Sequence, residues 1–259
     1  MTAPSPTYDQ AITLDPKYAN AYNNRGNAYK AKGDSDRAIA DYDQAIAVNP
    51  KFVLAYDNRG NAYLARGDRD HAIADYGQAI TLDPKFVNAY NNRGNVYKAK
   101  GDNDRAIADY GQAIALDPKF AFAYNNRGNA YKAKGDNDRA IADYDQAIAL
   151  DPKYTSAYNG RGNAYQSKGD NDRAIIDYDQ AITLDPKYAL AYNGRGNAYH
   201  AKGDNDRAIA DYSQAITLDP KYAIAYDNRA IAYRAKGNTD RAAADHNEAV
   251  RLDPKPGQK

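Results

Sequence analysis

The sequence predicts an all-α fold, an α-solenoid built as a linear array of repeated helix pairs. Two observations carry this prediction. Prolines recur along the 259-residue chain at a constant step of 34 residues: Pro16, Pro50, Pro84, Pro118, Pro152, Pro186, Pro220 and Pro254. Between successive prolines, apolar residues recur at the three- and four-residue intervals of amphipathic helices. A fixed period of this length is typical of units that bury their apolar faces against their neighbours.

Seven repeats cover most of the chain when the first boundary is placed after Tyr18. Their ranges are 19–52, 53–86, 87–120, 121–154, 155–188, 189–222 and 223–256. A leader over residues 1–18 resembles the last part of a repeat, and residues 257–259 form a tail. Ser5 and Pro6 predict the cap and first turn of a lone helix over about residues 6–14, which we expect to shield the first repeat as a half-repeat cap.

Each repeat predicts two helices, as repeat one illustrates. Tyr22, Gly26 and Tyr29 are spaced i, i+4 and i+7, which predicts a first helix from about residue 20 to residue 32. Gly33 ends this helix, and Asp34 is a suitable N-cap for the next one. The second helix carries one apolar stripe, made of Ala38, Ile39, Tyr42, Ala45 and Ile46. The closing proline then ends the repeat, because the residue before a proline is displaced from the α region.

These landmarks resemble the tetratricopeptide repeat family. Its signature is an aromatic residue, a glycine and a tyrosine in the first helix, an alanine and an aromatic residue in the second, and a closing proline. Repeat one matches it with Tyr22, Gly26, Tyr29, Ala38, Tyr42 and Pro50. Repeat seven departs from it, with Ala230 in place of glycine and His246 in place of the aromatic residue. The resemblance covers nearly the whole chain and implies antiparallel helix pairs in a right-handed superhelix, with the first helices lining its concave side.

The charge balance narrows the classes of partner. The chain has 35 Lys and Arg residues against 34 Asp and Glu residues, a formal net charge of +1. Such a chain has no overall field to attract nucleic acid or anionic lipid. No segment is apolar over the 18 residues that a membrane span needs, and residues 1–10 lack the pattern of a signal peptide. We therefore expect a protein or peptide partner, no nucleic acid, no membrane and a cytoplasmic location.

The sequence offers little material for catalysis. It has no cysteine and three histidines, and it lacks a phosphate-binding glycine loop, a Ser-His-Asp set and a metal-spaced histidine pair. Asp102, Asn103 and Asp104 resemble the start of a calcium loop, but the later bridging glutamate is missing, so we interpret Asp102 as a helix cap. We expect a non-enzymatic chain without a catalytic residue, a metal or a cofactor.

Every repeat has an arginine where the family has an aliphatic residue. These arginines are Arg25, Arg59, Arg93, Arg127, Arg161, Arg195 and Arg229. An aspartate precedes the second-helix aromatic position in each repeat: Asp41, Asp75, Asp109, Asp143, Asp177, Asp211 and Asp245. A half-buried guanidinium needs an acceptor, so we predict a structural ion pair within each repeat, Arg25 with Asp41 and so on. Arg37 is a competing partner of Asp41, and arginines that face a ligand are the alternative interpretation.

Asparagines occupy another face of the first helix. In repeat one, Asn20, Asn23, Asn24 and Asn27 are spaced i, i+3, i+4 and i+7. Repeats two to four continue the set with Asn58, Asn61, Asn88, Asn91, Asn92, Asn95, Asn125, Asn126 and Asn129. A carboxamide has both a donor and an acceptor, so stacked amides can bind the peptide groups of an extended chain whatever its side chains. We predict an asparagine ladder that holds an extended peptide in the concave groove, and Lys98 and Lys132 nearby favour an acidic partner.

Alternatives to this ladder stay open. The groove resembles the asparagine-lined superhelix of protein O-GlcNAc transferase, whereas the family's carboxylate clamp would need basic groups where the chain has Asn23, Asn88 and Asn92. Gly160 and Gly194 interrupt the ladder, so we expect the stronger peptide track in repeats one to four. In a second interpretation, the asparagines form a solvated helix face that was copied by duplication and has no binding role. In two further interpretations, the whole chain is a self-assembling structural array or the targeting arm of a larger enzyme.

Overall fold

The structure is a computed structural model that describes residues 6–253. Ser5, the predicted cap of the leader helix, and the predicted tail 257–259 lie outside the described residues. The chain divides into two compact halves, Met1–Lys119 and Phe120–Lys259. The N-terminal half contains the leader helix and repeats one to three, and the C-terminal half contains repeats four to seven.

The regular structure of the described residues is α-helical. Its helices are α1 (Pro6–Leu14), α2 (Ala19–Ala31), α3 (Ser35–Val48), α4 (Val53–Ala65), α5 (Arg69–Leu82), α6 (Val87–Ala99), α7 (Asn103–Leu116), α8 (Ala121–Ala133), α9 (Asn137–Leu150), α10 (Thr155–Ser167), α11 (Asn171–Leu184), α12 (Ala189–Ala201), α13 (Asn205–Leu218), α14 (Ala223–Ala235) and α15 (Thr239–Leu252). Helix α1 is the predicted leader helix. From α2 onward, even-numbered helices are the first helices of the repeats and odd-numbered helices are the second, as the tetratricopeptide pattern predicts.

Local sequence determines where each second helix begins. Gly33 has a φ of +79°, a left-handed conformation that suits glycine and reverses the chain between α2 and α3. The Asp34 side chain then accepts a hydrogen bond from the backbone N–H of Arg37 at 3.1 Å. Asp102 caps α7 in the same way, accepting from the N–H of Arg105 at 3.0 Å, which confirms its interpretation as a cap.

Packing within each half follows chain order. Each first helix packs against its own second helix, and that second helix packs against the first helix of the next repeat in the same half. In the C-terminal half, α8 also contacts α10, α10 contacts α12, and α12 contacts α14, whereas no two of α9, α11, α13 and α15 come together to the same degree. The first helices of this half are therefore on the inside of its curve. We call the side they present there the first-helix face.

A tyrosine from the second helix fills the centre of each repeat. In repeat three, the ring of Tyr110 lies directly against Gly94, where a Cβ atom would come within 2.8 Å of the ring carbon Cε1. The Tyr110 hydroxyl donates a hydrogen bond to Oδ1 of Asn95 at 2.7 Å. The equivalent rings in the other repeats are also buried: Tyr42, Tyr76, Tyr144, Tyr178 and Tyr212. Glycine in the first helix is thus required for the ring to fit.

Repeat seven lacks the tyrosine, and it also lacks the glycine and the asparagine that accompany the tyrosine in the other repeats. Here Ala230, Ile231 and His246 replace the glycine, the asparagine and the tyrosine together. Ala230 is buried, whereas His246 is exposed and its Nδ1 lies 2.9 Å from Oδ1 of Asp227. Without a ring in the centre of the repeat, the glycine and the hydroxyl acceptor are no longer needed.

Gly94→Ala should lower the free energy of unfolding by about 1–3 kcal/mol, although alanine is the better helix former, because the added methyl group overpacks against the Tyr110 ring. Urea denaturation followed by circular dichroism measures this change. The matched control is Ala230→Gly, where no ring is present and a loss of about 1 kcal/mol in helix propensity is expected. A Gly94→Ala variant as stable as the parent chain would contradict the packing account.

Candidate functional site

Arginine and aspartate side chains pair within every repeat. In repeat one, Nε of Arg25 donates to Oδ2 of Asp41 at 2.8 Å and Nη2 donates to Oδ1 at 2.6 Å, a bidentate arrangement. The other predicted partners pair in the same way: Arg59 with Asp75, Arg93 with Asp109, Arg127 with Asp143, Arg161 with Asp177, Arg195 with Asp211 and Arg229 with Asp245. These arginines join the two helices of a repeat.

Several of these arginines also bind the preceding second helix. Nη1 of Arg59 donates to Oδ1 of Asp43 at 2.6 Å, and Nη1 of Arg25 donates to Asp9 of the leader helix at 2.8 Å. Hydrogen bonding to the carboxylates raises the pKa of Arg59 above its ordinary value, so the side chain stays charged. The competing arginine, Arg37, pairs with the cap residue Asp34. The interpretation of Arg25 and its equivalents as ligand-facing groups is not supported by these contacts.

The last asparagine of each predicted set has a partner inside its own repeat. Oδ1 of Asn27 accepts a hydrogen bond from the Tyr42 hydroxyl at 2.8 Å. The same bond recurs at Asn61, Asn95, Asn129, Asn163 and Asn197. This corrects the sequence analysis, which placed Asn27, Asn61, Asn95 and Asn129 on the groove wall: their carbonyl oxygens are already used in packing. The joint loss of asparagine and tyrosine in repeat seven was the signal in the sequence that indicated this role.

The Asn23 class comprises Asn23 and the residues at 34-residue steps from it. Asn23 in the N-terminal half and Asn193 in the C-terminal half each lie between consecutive first helices. Asn23, Asn91, Asn125 and Asn193 are buried. Nδ2 of Asn58 donates to Oδ1 of Asn23 at 2.9 Å, and Nδ2 of Asn228 donates to Oδ1 of Asn193 at 2.9 Å. These amides therefore join one repeat to the next. Helical spacing placed them on the polar side of their own helix and carried no information about the neighbouring first helix that covers them.

Other predicted residues of the first helices remain open to solvent. Asn20, Asn24, Asn88 and Asn95 are exposed, although Oδ1 of Asn95 already accepts a hydrogen bond from the Tyr110 hydroxyl. Lys98 and Lys132 are half-buried, and burial lowers the pKa of Lys132. The first turns of four other first helices expose large apolar side chains where repeats one and three have Asn20 and Asn88: Leu54, Phe122, Leu190 and Ile224. The accessible set is thus a mixture of amides, amines and apolar groups.

Comparison with protein families identifies the architecture. The family model described as TPR repeat matches residues 60–101, 94–135, 128–169, 162–203 and 196–237. Models described as tetratricopeptide repeat match residues 19–52 and 223–256. The chain belongs to the tetratricopeptide repeat family. The matches at both ends coincide with the first and seventh repeats of the sequence analysis. A comparison with curated proteins returns no match.

Solved structures of tetratricopeptide repeat proteins share this fold. A tetratricopeptide repeat protein from Parabacteroides merdae is 23% identical with a TM-score of 0.76, over 92% of this chain and 94% of that one. The Cut9–Hcn1 hetero-tetramer of the APC/C contains a chain 20% identical with a TM-score of 0.76, over 96% of this chain and 49% of that one. This chain therefore spans about half the length of that protein. YrrB, a TPR protein with an unusual peptide-binding site, is 23% identical with a TM-score of 0.60, over 76% of this chain and 97% of that one.

Membrane-spanning helices and metal-binding clusters are both absent from residues 6–253. Within residues 6–253, no helix has both the length and the apolar composition that crossing a bilayer requires. The same part of the chain has no group of three or more His, Cys, Asp or Glu side chains arranged to hold a metal ion.

Asp57 is a buried carboxylate that the sequence analysis missed. It stands in the Asn23 class, where most repeats have asparagine, and it is 8% exposed. Its carboxylate oxygens accept hydrogen bonds from Nδ2 of Asn92 and from Nδ2 of Asn61, each at 3.1 Å. Burial raises the pKa of Asp57, and the hydrogen bond from Asn92 and the charge of Lys30 offset this effect only in part. Aspartate in place of the common asparagine of this column, which recurs at Asp227, was the available signal.

Asp57→Asn should raise the free energy of unfolding at pH 7 by about 0.5–2 kcal/mol, as replacements by a repeat's common residue often do. The amide keeps an acceptor for Asn92 and removes a buried charge. Because the folded-state pKa of Asp57 is raised, the parent chain is penalised only where this carboxyl is ionised. The advantage of the variant should therefore be full at neutral pH and vanish below about pH 4.

Urea denaturation across this pH range measures the effect of Asp57→Asn. Asp211→Asn is the matched control, since burial also raises the pKa of Asp211 but its charge is paired with Arg195. This control should lose stability at pH 7, because the guanidinium loses a charged acceptor. A gain from Asp57→Asn that does not change with pH would contradict the assignment to a buried charge.

Proposed function

We propose that the chain is a non-enzymatic scaffold that binds an extended segment of another protein along its first helices. One observation carries the proposal: Leu54, Phe122, Leu190 and Ile224 are about half exposed, all at the same place in the first turn of a first helix. Single exposed apolar residues are ordinary, but their repetition at one position of an array supports an interaction surface. Asn20 and Asn88 give the polar counterpart of this position in repeats one and three.

Polar groups beside this row complement a peptide main chain. Asn24 and Asn95 are exposed amides of the N-terminal half, and each offers a donor that can bind a peptide carbonyl. Each such bond contributes about 0.5–1.5 kcal/mol net, so several of them offset the ordering of a guest. Half-buried Lys30 and Lys132 add positive charge, which favours a guest with acidic side chains.

The named relatives support the same class of function. YrrB is described as having a peptide-binding site, and Cut9 is part of a protein assembly. Their identities to this chain are low, so they support a protein or peptide partner in general and not a particular sequence. Arg25 and Arg59 are held in ion pairs between helices, which suits a scaffold better than a catalyst.

Selection of a random twelve-residue peptide library against the full chain should yield binders of roughly micromolar affinity. The double variant Phe122→Ser/Leu190→Ser should weaken such a peptide at least about tenfold, because it removes two apolar contacts from the first-helix face. Fluorescence polarisation with a labelled peptide measures the affinity.

The matched control for this double variant is Ile176→Ser. Ile176 is 65% exposed on the second helix α11, so its replacement removes a similar apolar group from outside the proposed surface. This control should bind the peptide as the parent does. The proposed function would be contradicted if Ile176→Ser lowered the peptide affinity as much as Phe122→Ser/Leu190→Ser does, or if the library yielded no binding peptide.

A further inference from the structure

Four buried side-chain carbonyl oxygens in the described part of the C-terminal half have no hydrogen-bond donor. Two belong to Asn137 and Asn171, the first residues of α9 and α11, and the other two are Oδ1 of Asn125 in α8 and Oδ1 of Asn159 in α10. Asn125 and Asn159 both belong to the Asn23 class, and Asn125 is only 4% exposed. Buried polar side chains nearly always have a partner, so two orphans at the same place in consecutive repeats need a cause.

The cause is a glycine in the following repeat. Where that repeat has asparagine, its amide supplies the missing donor: Asn58 donates to Asn23, and Asn228 donates to Asn193, both at 2.9 Å. The residues that follow Asn125 and Asn159 by the same 35-residue step are Gly160 and Gly194. Glycine has neither a side-chain donor nor an acceptor, so no rotation of the asparagine amide finds a side-chain partner there.

The carbonyl oxygens of Asn125 and Asn159 are therefore unpaired, and a donor from outside the array can reach them once the amide turns. The torsion that turns an asparagine amide is broad, and an unpaired amide breaks no bond to a neighbouring repeat when it turns. Asn193 would have to give up its bond from Asn228 to do the same. Nδ2 of Asn125 has a long contact of 3.5 Å to Oδ1 of Asn126, which hinders rotation little.

We propose that Asn125 and Asn159 anchor the guest, each accepting a hydrogen bond from a main-chain N–H of an extended peptide. This inference rests on the proposed function and locates its strongest contacts in repeats four and five. It differs from the expectation that the uninterrupted asparagines of repeats one to four form the stronger track. The glycines that interrupt the ladder are what leave acceptors for a guest.

Charge and shape around the two acceptors favour a neutral donor. Lys132 is half-buried near the end of the same helix as Asn125, and the described residues give it no ion pair. A guest ammonium or guanidinium group would be repelled there, whereas a peptide N–H would not. Phe122 stands one turn before Asn125, exposed and in contact with the ring of Tyr154 at a centroid distance of 5.1 Å, and can pack against guest side chains.

The spacing of the acceptors predicts the conformation of the guest. Helices α8 and α10 contact each other, and contacting helices lie about 8–10 Å apart. A polyproline II strand presents an equivalent N–H every three residues, a rise of about 9.3 Å, whereas a β-strand repeats every two residues at about 6.8 Å. We therefore expect the two bonded N–H groups to be three residues apart in a polyproline II-like guest.

N-methylation of each residue of a library-selected twelve-residue peptide tests this pairing. Removing either bonded N–H should weaken binding to the full chain about two- to tenfold, at two positions separated by three residues. Sensitivity at positions two apart, or at none, would overturn the inference. Binding that still depends on Phe122 and Leu190 would leave the proposed function standing, whereas the failure of every library peptide to bind would overturn both.

Variants of the protein give the second arm of the test. Gly160→Asn/Gly194→Asn restores the donors that Asn58 and Asn92 supply elsewhere and should weaken the peptide about tenfold. It should also lower the urea midpoint, because a Cβ atom at either position would come within 2.6 Å of the Tyr144 or Tyr178 ring. Asn125→Ala/Asn159→Ala should weaken the peptide equally with little change in stability, and it decides the question if the asparagine variants do not fold. Asn193→Ala, which loses a satisfied bond, should lose stability and keep its affinity. If Asn125→Ala/Asn159→Ala binds the peptide as tightly as the parent chain does, the two asparagines do not contact the guest and the inference is overturned.

Discussion

A buried tyrosine ring in each of the first six repeats is the packing constraint on which the array depends. The ring of Tyr110 occupies the space that a side chain at position 94 would need, and its hydroxyl requires an acceptor, which Asn95 provides. Burial of a hydroxyl without an acceptor would be costly, so ring, glycine and amide form one unit. Repeat seven replaces all three members together, as expected if none of them is useful alone.

In five of the seven repeats, the arginine also fixes three helices at one point, the exceptions being Arg93 and Arg127, which face a glycine of the preceding second helix. A guanidinium carries five N–H donors in a planar fork, so Arg59 binds Asp75 through two of its nitrogens and Asp43 of the preceding repeat through the third. An aliphatic residue at this position could fill the space, but it could not fix the orientation of the helices through directional hydrogen bonds. Matching each buried arginine with an aspartate also keeps the net charge near zero along the chain.

Differences between repeats are more informative about function than their shared residues. Shared amides such as Asn27 and Asn58 are used within the array, one in the centre of a repeat and one across a junction. The residues that vary, such as Phe122 and Gly160, change what the first-helix face exposes or leaves unsatisfied. A guest that recognises this array would therefore contact the residues that differ from the repeat, and these differences are not the same in the two halves.

The sequence by itself determined the helices, their caps and the period, because these depend on local spacing: Gly33 and Asp34 end one helix and begin the next wherever they recur. It also indicated the Arg25–Asp41 pair, since a charge among apolar residues needs a partner. Only the tertiary structure decided which asparagines are available. Asn23 and Asn24 are neighbours on one helix, yet the first is buried and the second exposed, because the following first helix covers one flank and not the other. That contact joins residues 35 positions apart, and helical periodicity carries no information about it.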